Sequence, residues 1–379
     1  MMWFIKYLVS KAISVALLPI YLFPVKKNRM LFISYSGLQY SCNPKYITKS
    51  LLEKHPEKYE IIWVFKEPEK FNHIEDKIIK VKYLSLRHLY YVITSSVCVT
   101  NMGFNKFFYV RKNQHFVQTW HGGGAYKRSG DSLSKNYFQR RLDHQHDNLI
   151  TDFISSSQYF TDYFINDQNY SHNILPIGMP RNSFLLKERG NEELQQQIKK
   201  NIDDKYHQDK YYVLYAPTWR DDGASYELPD FSKIISDLRE KTKKDVVILF
   251  RSHHFHSITN SDIGDVCINV TNYPDMQELL LVSDILISDY SSCIWDFSLL
   301  FRPCFLYVPD LTKYENMRGF YTNIEDWGFA VCKTKQSLNS SINMYDSILG
   351  EEKIKKMHAQ FGSYENEESC GKIIDSLNL

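Results

Sequence analysis

Past an apolar opening stretch, hydrophobic residues come in short uniform runs separated by longer, mixed stretches with helical spacing. Runs at 30–34, 59–65, 78–81, 97–100, 116–120 and 153–155 read as strands. Several are too uniformly apolar to have a wet face, as expected of parallel strands covered by helices on both sides. Between 187 and 210 the chain turns polar and charged and nearly loses its large apolar residues, which predicts an interdomain boundary there. A second strand series follows at 211–215, 246–250, 266–270, 285–288 and 304–308, interleaved with helical stretches at 230–242, 275–283 and 293–301. The expected fold class is α/β, with two doubly wound Rossmann-like domains facing a cleft, 30–205 and 206–379, preceded by a short N-terminal helix within 1–29. A chain of 379 residues suits two such domains.

The opening stretch, MMWFIKYLVSKAISVALLPIYLFPV, is interrupted by Lys6 and Lys11 and broken by Pro19 and Pro24. Its longest charge-free run, 12–25, is 14 residues, short of the roughly 20 needed to span a bilayer. It therefore reads as an amphipathic segment lying in the membrane interface, with Trp3, Tyr7 and Tyr21 at headgroup depth; a spanning anchor and a plain buried helix are the alternatives. Charge strengthens the interfacial reading. The first acidic residue is Glu53, and before it stand seven cations: Lys6, Lys11, Lys26, Lys27, Arg29, Lys45 and Lys49. Such a segment is drawn to anionic lipid, whereas the remainder of the chain is slightly acidic and carries no general nucleic-acid footprint. Seven scattered cysteines without a CxxC pair fit a reducing compartment, not a disulfide framework or a zinc site. The expected location is the cytoplasmic face of a cell membrane, as a peripheral protein.

In doubly wound sheets ligands bind beyond the carboxyl ends of the strands, and four strand ends carry chemistry. QTWHGGGAYKRSG (118–130) places His121 where a general base could take a hydroxyl proton. Gly122 and Gly123 let backbone N–H groups approach an anion, and Lys127 adds charge; a flexible turn with a surface histidine is the plain alternative. YAPTWRDD (215–222) offers Thr218 and Arg220 beside an aromatic plane, or simply a strand end with a buried Trp. LFRSHHFH (249–256) alternates Arg251 and His253 onto one face of an extended chain, as diphosphate binding requires. His253, His254 and His256 have no carboxylate or cysteine at ligand spacing, so no metal site is assigned. VSDILISDYSSCIWDF (282–297) runs a buried strand into Asp289, Ser291 and Ser292 and then a helix, whose N-terminus could hold phosphate oxygens or be a capping box of Ser292 with Asp296.

Together with SYSGLQYSCNPKYI (34–47), GMPRN (178–182) and RPCFLYVPDLTKYENMRGFY (302–321), these motifs, in this order, resemble the CDP-glycerol glycerophosphotransferase family of teichoic acid primases and polymerases. The resemblance covers most of 30–335 and implies a GT-B-type fold, with an acceptor-side N-terminal domain and a CDP-donor-binding C-terminal domain. It implies transfer of glycerol phosphate, or a related polyol phosphate, from CDP-glycerol or CDP-ribitol to a hydroxyl of a lipid-linked saccharide or polyol-phosphate polymer, with release of CMP, in teichoic acid or capsule-like polymer synthesis. His121 matches the catalytic base, with His253 as a second catalytic candidate. Arg251, His253, Ser291 and Ser292 match positions expected to hold the donor pyrophosphate, with Asp289 beside them; Arg181, in the GMPRN segment, is expected to be a further cation in the cleft. The resemblance implies no cofactor and no tightly bound metal. Two other readings share the architecture: a nucleotide-sugar glycosyltransferase or epimerase, and a catalytically silent membrane-bound nucleotide-binding scaffold.

Overall fold

The computed structural model describes residues 2–124, 127–128, 137–168, 170, 172–203, 210–218, 227–252, 267–317 and 319–377. They form two compact units. The first comprises Met1–Gly123, Ser129–Ser183 and Ser363–Leu379, and the second comprises Gly124–Arg128 and Phe184–Gly362. The division thus falls at 183/184, where the sequence placed it at 205/206, and the last residues of the chain belong with the first unit.

In the first unit, α1 (Met2–Ala16) precedes β1 (Lys26–Ile33), α2 (Cys42–Lys54), β2 (Glu60–Phe65), β3 (Ile79–Lys82), α3 (Leu86–Thr94), β4 (Ser95–Thr100), β5 (His115–Gln118), α4 (Tyr137–Asp147), β6 (Asp152–Ile154) and β7 (Asn173–Leu175). The strands make one sheet in the order β3-β2-β1-β4-β5-β6-β7, with parallel neighbours throughout. β2 and β4 are buried on both faces, which explains the apolar runs Ile61–Phe65 and Val97–Val99; each fully buried aliphatic side chain contributes roughly 2 kcal/mol. The order reverses between β1 and β4, and that switch point opens a crevice beyond Ile33 and Thr100.

β1 starts at Lys26, so 26–29 are strand and not part of a free N-terminal arm. Arg29 is buried, its guanidinium bonded to Glu60 (2.9 and 3.2 Å) and to Thr94 (2.6 Å), and Lys45 is buried too. Neither can reach a lipid surface, which reduces the cationic set read from the sequence. α1 packs its small polar face inward: Ser10 and Ser14 are buried, Ser14 Oγ donates to Phe107 O at 2.8 Å, and Phe4 and Tyr7 meet Phe138 of α4. Phe4, Ile5, Leu8, Val9 and Val15 stay exposed. Among the described residues no helix is long and apolar enough to cross a membrane.

α5 (Pro180–Glu188) carries the chain across the division. The second unit continues with α6 (Glu192–Ile202), β8 (Lys210–Ala216), α7 (Phe231–Thr242), β9 (Asp245–Phe250), β10 (Cys267–Asn269), α8 (Met276–Val282), β11 (Ile285–Ser288), α9 (Cys293–Ser298), β12 (Cys304–Tyr307), α10 (Leu311–Met317), β13 (Ala330–Cys332), α11 (Lys335–Asn343) and α12 (Ser347–Gln360). Its sheet is again parallel, in the order β10-β9-β8-β11-β12-β13, with the switch point between β8 and β11. Asp230 and Asp275 cap α7 and α8 by accepting from Lys233 N and Gln277 N. α13 (Ser369–Ser376) closes the chain within the first unit.

Candidate active site

His121 lies just past β5 in the first unit, and its ring reaches the switch-point crevice. His121 Nδ1 is 2.9 Å from Asn101 O, the first carbonyl beyond β4. A carbonyl can only accept, so Nδ1 carries the proton and Nε2 is the ring's proton-accepting atom. That is the tautomer a general base needs. Tyr35, the second residue past β1, lies on the other side of the crevice with its ring 6.0 Å from that of His121.

The surrounding backbone is held in place by buried side chains. Asn101 Oδ1 accepts from Tyr35 N (2.8 Å) and its Nδ2 donates to Ser34 Oγ (3.2 Å), so the residue that orients the imidazole is itself fixed. Asn43, in the first turn of α2 and fully buried, donates to Thr119 O (3.2 Å) and Trp120 O (3.0 Å) and accepts from Arg181 N (3.0 Å). Arg181 Nη1 donates to His121 O at 2.9 Å. Arg181 was expected to be a cleft cation; it is buried and braces the histidine from behind.

Strain concentrates at the same place. Trp120 has φ +54, and Tyr35 and Ser36 have φ +45 and +53, conformations that cost a non-glycine residue about 1–2 kcal/mol each. The Trp120 ring lies between His121 (4.4 Å) and Phe164 (4.7 Å), and Phe164 belongs to a π-helical segment, Phe160–Ile165. A π turn widens the helix locally and is found mostly at functional sites. Gly122 is buried and Gly123 half-buried. A Cβ on Gly123 would lie 3.1 Å from Ser156 Cβ, so a side chain there would have to push Ser156 aside by a few tenths of an ångström.

In the second unit, Asp289 and Thr218 meet at the β8/β11 switch point. Both carboxylate oxygens of Asp289 lie within 3.1 Å of Thr218 N, and Tyr290 N donates to Oδ1. Asp289 is buried, so its charge faces backbone N–H groups; it shapes the loop that a phosphate would approach. Arg251 follows β9 and is half-buried, its Nη1 donating to Tyr273 O (2.8 Å) and Val270 O (3.3 Å). Ser291 Oγ accepts from Cys293 N at 3.4 Å, whereas Ser292, at the N-cap position of α9, makes no side-chain cap bond. The capping box of Ser292 with Asp296 does not form, because Asp296 is buried and accepts from Gln277 Nε2 at 3.0 Å. Lys127 pairs with Phe320 through an antiparallel bridge, its Nζ 5.7 Å from the centre of the Tyr314 ring. His253 and Arg220 lie outside the described residues. Among the described residues no group of three His, Cys, Asp or Glu side chains could hold a metal ion.

Asn43, Asn101, Ser156 and Glu365 were given no role from the sequence. Asn101 ends a legible strand and could have been found by the strand-end rule that found His121; Asn43 sits within the quoted 34–47 motif. Nothing near Glu365 marks it.

Two parallel-sheet units, one presenting an imidazole oriented as a base and the other Arg251, Thr218 and a serine pair at strand ends, are the equipment of a group transferase with a nucleotide-activated donor. The chain belongs to the CDP-glycerol:poly(glycerophosphate) glycerophosphotransferase family, whose model matches residues 16–379. It is 30% identical over 373 residues to the teichoic acid poly(glycerol phosphate) polymerase of Bacillus spizizenii strain W23, covering 94% of this chain and 93% of that one. To the polymerase of the same description from Staphylococcus epidermidis it is 31% identical over 93% of its own length, but it spans only 51% of that protein. Further relatives are described as a glycerol-phosphate transferase and as ribitol-phosphate polymerases. The solved wall teichoic acid polymerase TagF superposes with a TM-score of 0.84 at 29% identity, over 99% of this chain and 97% of that one. A histidine-to-asparagine variant of TagF has been solved after soaking with CDPG. The fold class is therefore the GT-B-like α/β class read from the sequence.

Proposed function

We propose that this chain transfers glycerol phosphate from CDP-glycerol to a hydroxyl of a lipid-linked saccharide or a polyol-phosphate polymer in teichoic acid synthesis. His121 Nε2 takes the acceptor hydroxyl proton, and the acceptor oxygen attacks the phosphorus that bears glycerol. The bond between that phosphorus and the bridging oxygen breaks, and CMP leaves with the electron pair. Arg251, the Thr218 hydroxyl and the Ser291–Ser292 turn, with His253 two residues past Arg251 in the sequence, take the donor pyrophosphate and offset its growing charge. The observation that carries this reading is the His121 Nδ1 to Asn101 O bond, because it fixes the one tautomer able to accept a proton at Nε2.

The test is CMP release and product mass with purified protein, a lipid-linked acceptor, and either CDP-glycerol or CDP-ribitol. Turnover with CDP-glycerol is expected to exceed that with CDP-ribitol. His121→Ala is expected to lower kcat by about 10²–10⁴ while leaving the melting temperature within a few degrees. Near-normal turnover by that variant would remove His121 from the mechanism.

We further propose that the protein works at the surface of an anionic membrane, where its acceptor is held. What supports this is the inverted packing of α1, with serines inward and Phe4, Ile5, Leu8 and Val9 outward beside Lys6 and Lys11.

A further inference from the structure

Residues 363–377 return to the first unit after the whole second unit has been traversed, and they arrive beside the loop that carries His121. Ser363 bridges Ser157 in antiparallel fashion, and Tyr364 N donates to Ser156 O at 2.8 Å. Ser156 Oγ in turn donates to Gly123 O at 2.5 Å, two residues beyond the histidine. Glu365 follows. Its Oε2 accepts from Met179 N and its Oε1 from Asn182 Nδ2, both at 2.9 Å. One carboxylate thus clamps the start of α5, where unsatisfied N–H groups and the helix dipole favour an anion. Arg181 lies between the two attachment points and holds His121 O.

The approach is close. Gly178 has φ +79, and a Cβ there would stand 2.8 Å from Tyr364 O and 2.9 Å from Glu365 Cα, so the two backbones pack directly on one another. The same carboxylate borders the other side of the loop, since a Cβ on Gly123 would come within 3.4 Å of Glu365 Oε1.

We propose that Glu365 is a positioning residue for His121, a role that rests on the reading of His121 as the general base. It acts from two sides. Through the start of α5 it sets Arg181, and with it the His121 carbonyl; from its place beside Gly123 the carboxylate leaves the loop little room to move. Without the carboxylate, the α5 start and the glycine loop gain room to shift, and the imidazole leaves the line of attack.

The experiment compares wild type with Glu365→Ala, Glu365→Gln and, as an exposed neighbour on the same segment, Glu367→Gln. CMP release is measured together with thermal melting and the imidazole ¹⁵N shifts of histidine-labelled protein. Glu365→Ala is expected to lower kcat about 10–100-fold with the donor KM changed less than about threefold, as displacement of a reacting group by about 1 Å would do. Glu365→Gln keeps one acceptor oxygen and is expected to recover part of the loss, and Glu367→Gln to behave as wild type. The His121 signals, assigned by their loss in His121→Ala, are expected to move in Glu365→Ala. A kcat within about twofold of wild type, or unmoved His121 signals, would overturn the proposal. If Glu365→Ala does not fold, the Gln variant decides by its His121 signals, which are expected to move; unmoved signals overturn the proposal. If wild type does not turn over CDP-glycerol, the functional reading fails, and the ¹⁵N shifts alone still decide whether Glu365 positions His121.

Discussion

Asn43 shows how a short amide can hold a whole loop in register. Its Nδ2 reaches the two carbonyls immediately before His121 and its Oδ1 reaches Arg181 N, so one side chain registers the loop against α5. Replacing it by alanine leaves three buried backbone groups without these partners. Asn43→Ala is therefore expected to lower unfolding stability by about 2–4 kcal/mol in urea titration and to reduce kcat as well. Asn43→Asp keeps the acceptor but turns a donor towards two carbonyls into a charge, and is expected to be worse on both counts. At this scale the sequence was legible in proportion to local context. His121 stood out because a histidine and three glycines follow a clear strand. The role of Arg181 was misread because a lone arginine in a polar motif gives no sign that it will be buried under that histidine. Glu365 was illegible because its partners lie in residues 123–182 and reach it only through the return of the chain.

Two histidines, His88 buried and His358 half-buried, predict how the fold responds to acid. His88 accepts from Leu84 N through Nδ1 and fixes the start of α3, while His358 on α12 bonds Ser298 of α9 at 2.9 Å. Burial pushes both imidazoles down to about 4. A depressed folded value means that the unfolded chain binds protons first, so their stabilisation is full above about 6.5 and is lost as the pH falls towards 4. Each histidine is expected to cost about 1.5 kcal/mol between pH 6.5 and 5, above the range where most carboxylates titrate. Melting curves across that interval check this: wild type should fall steadily, and His358→Gln should fall less. The strand pattern itself was largely readable, since β1, β2, β4, β8, β9 and β11 each carry an apolar run that the structure buries. β7 and β13, three residues each, were missed because so short a run carries no periodicity. The helix expected over 293–301 ends at Ser298, with Phe301 at φ +55 turning the chain into β12.

For the molecule as a whole, the exposed apolar side of α1 continues into Leu18 and Leu22, the latter 86% exposed. Lys6, Lys11, Lys26 and Lys27 supply charge along the same segment. Wild type is expected to co-sediment with vesicles containing phosphatidylglycerol, and less well as salt rises. Leu8→Asp with Leu22→Asp is expected to weaken that binding about tenfold or more without changing CMP release from a soluble acceptor. Equal binding by wild type and the double variant would remove α1 from the membrane contact. The two-unit plan was legible from the alternation of strands and helices. The return of 363–377 was not, because nothing in α13 distinguishes a helix that rejoins the first sheet from one that stays with the second.

That return bears on how the protein is made. The first unit is discontinuous along the chain, and Glu365, which bonds the start of α5, is translated only after residues 184–362 of the second unit. Every strand of its sheet is translated before residue 184, where the long segment of the second unit starts, yet the bonds from Glu365 to the start of α5 form only after that segment has been made. A nascent chain that stalls before residue 365 therefore holds the His121 loop without the carboxylate that bonds Met179 N and Asn182 Nδ2.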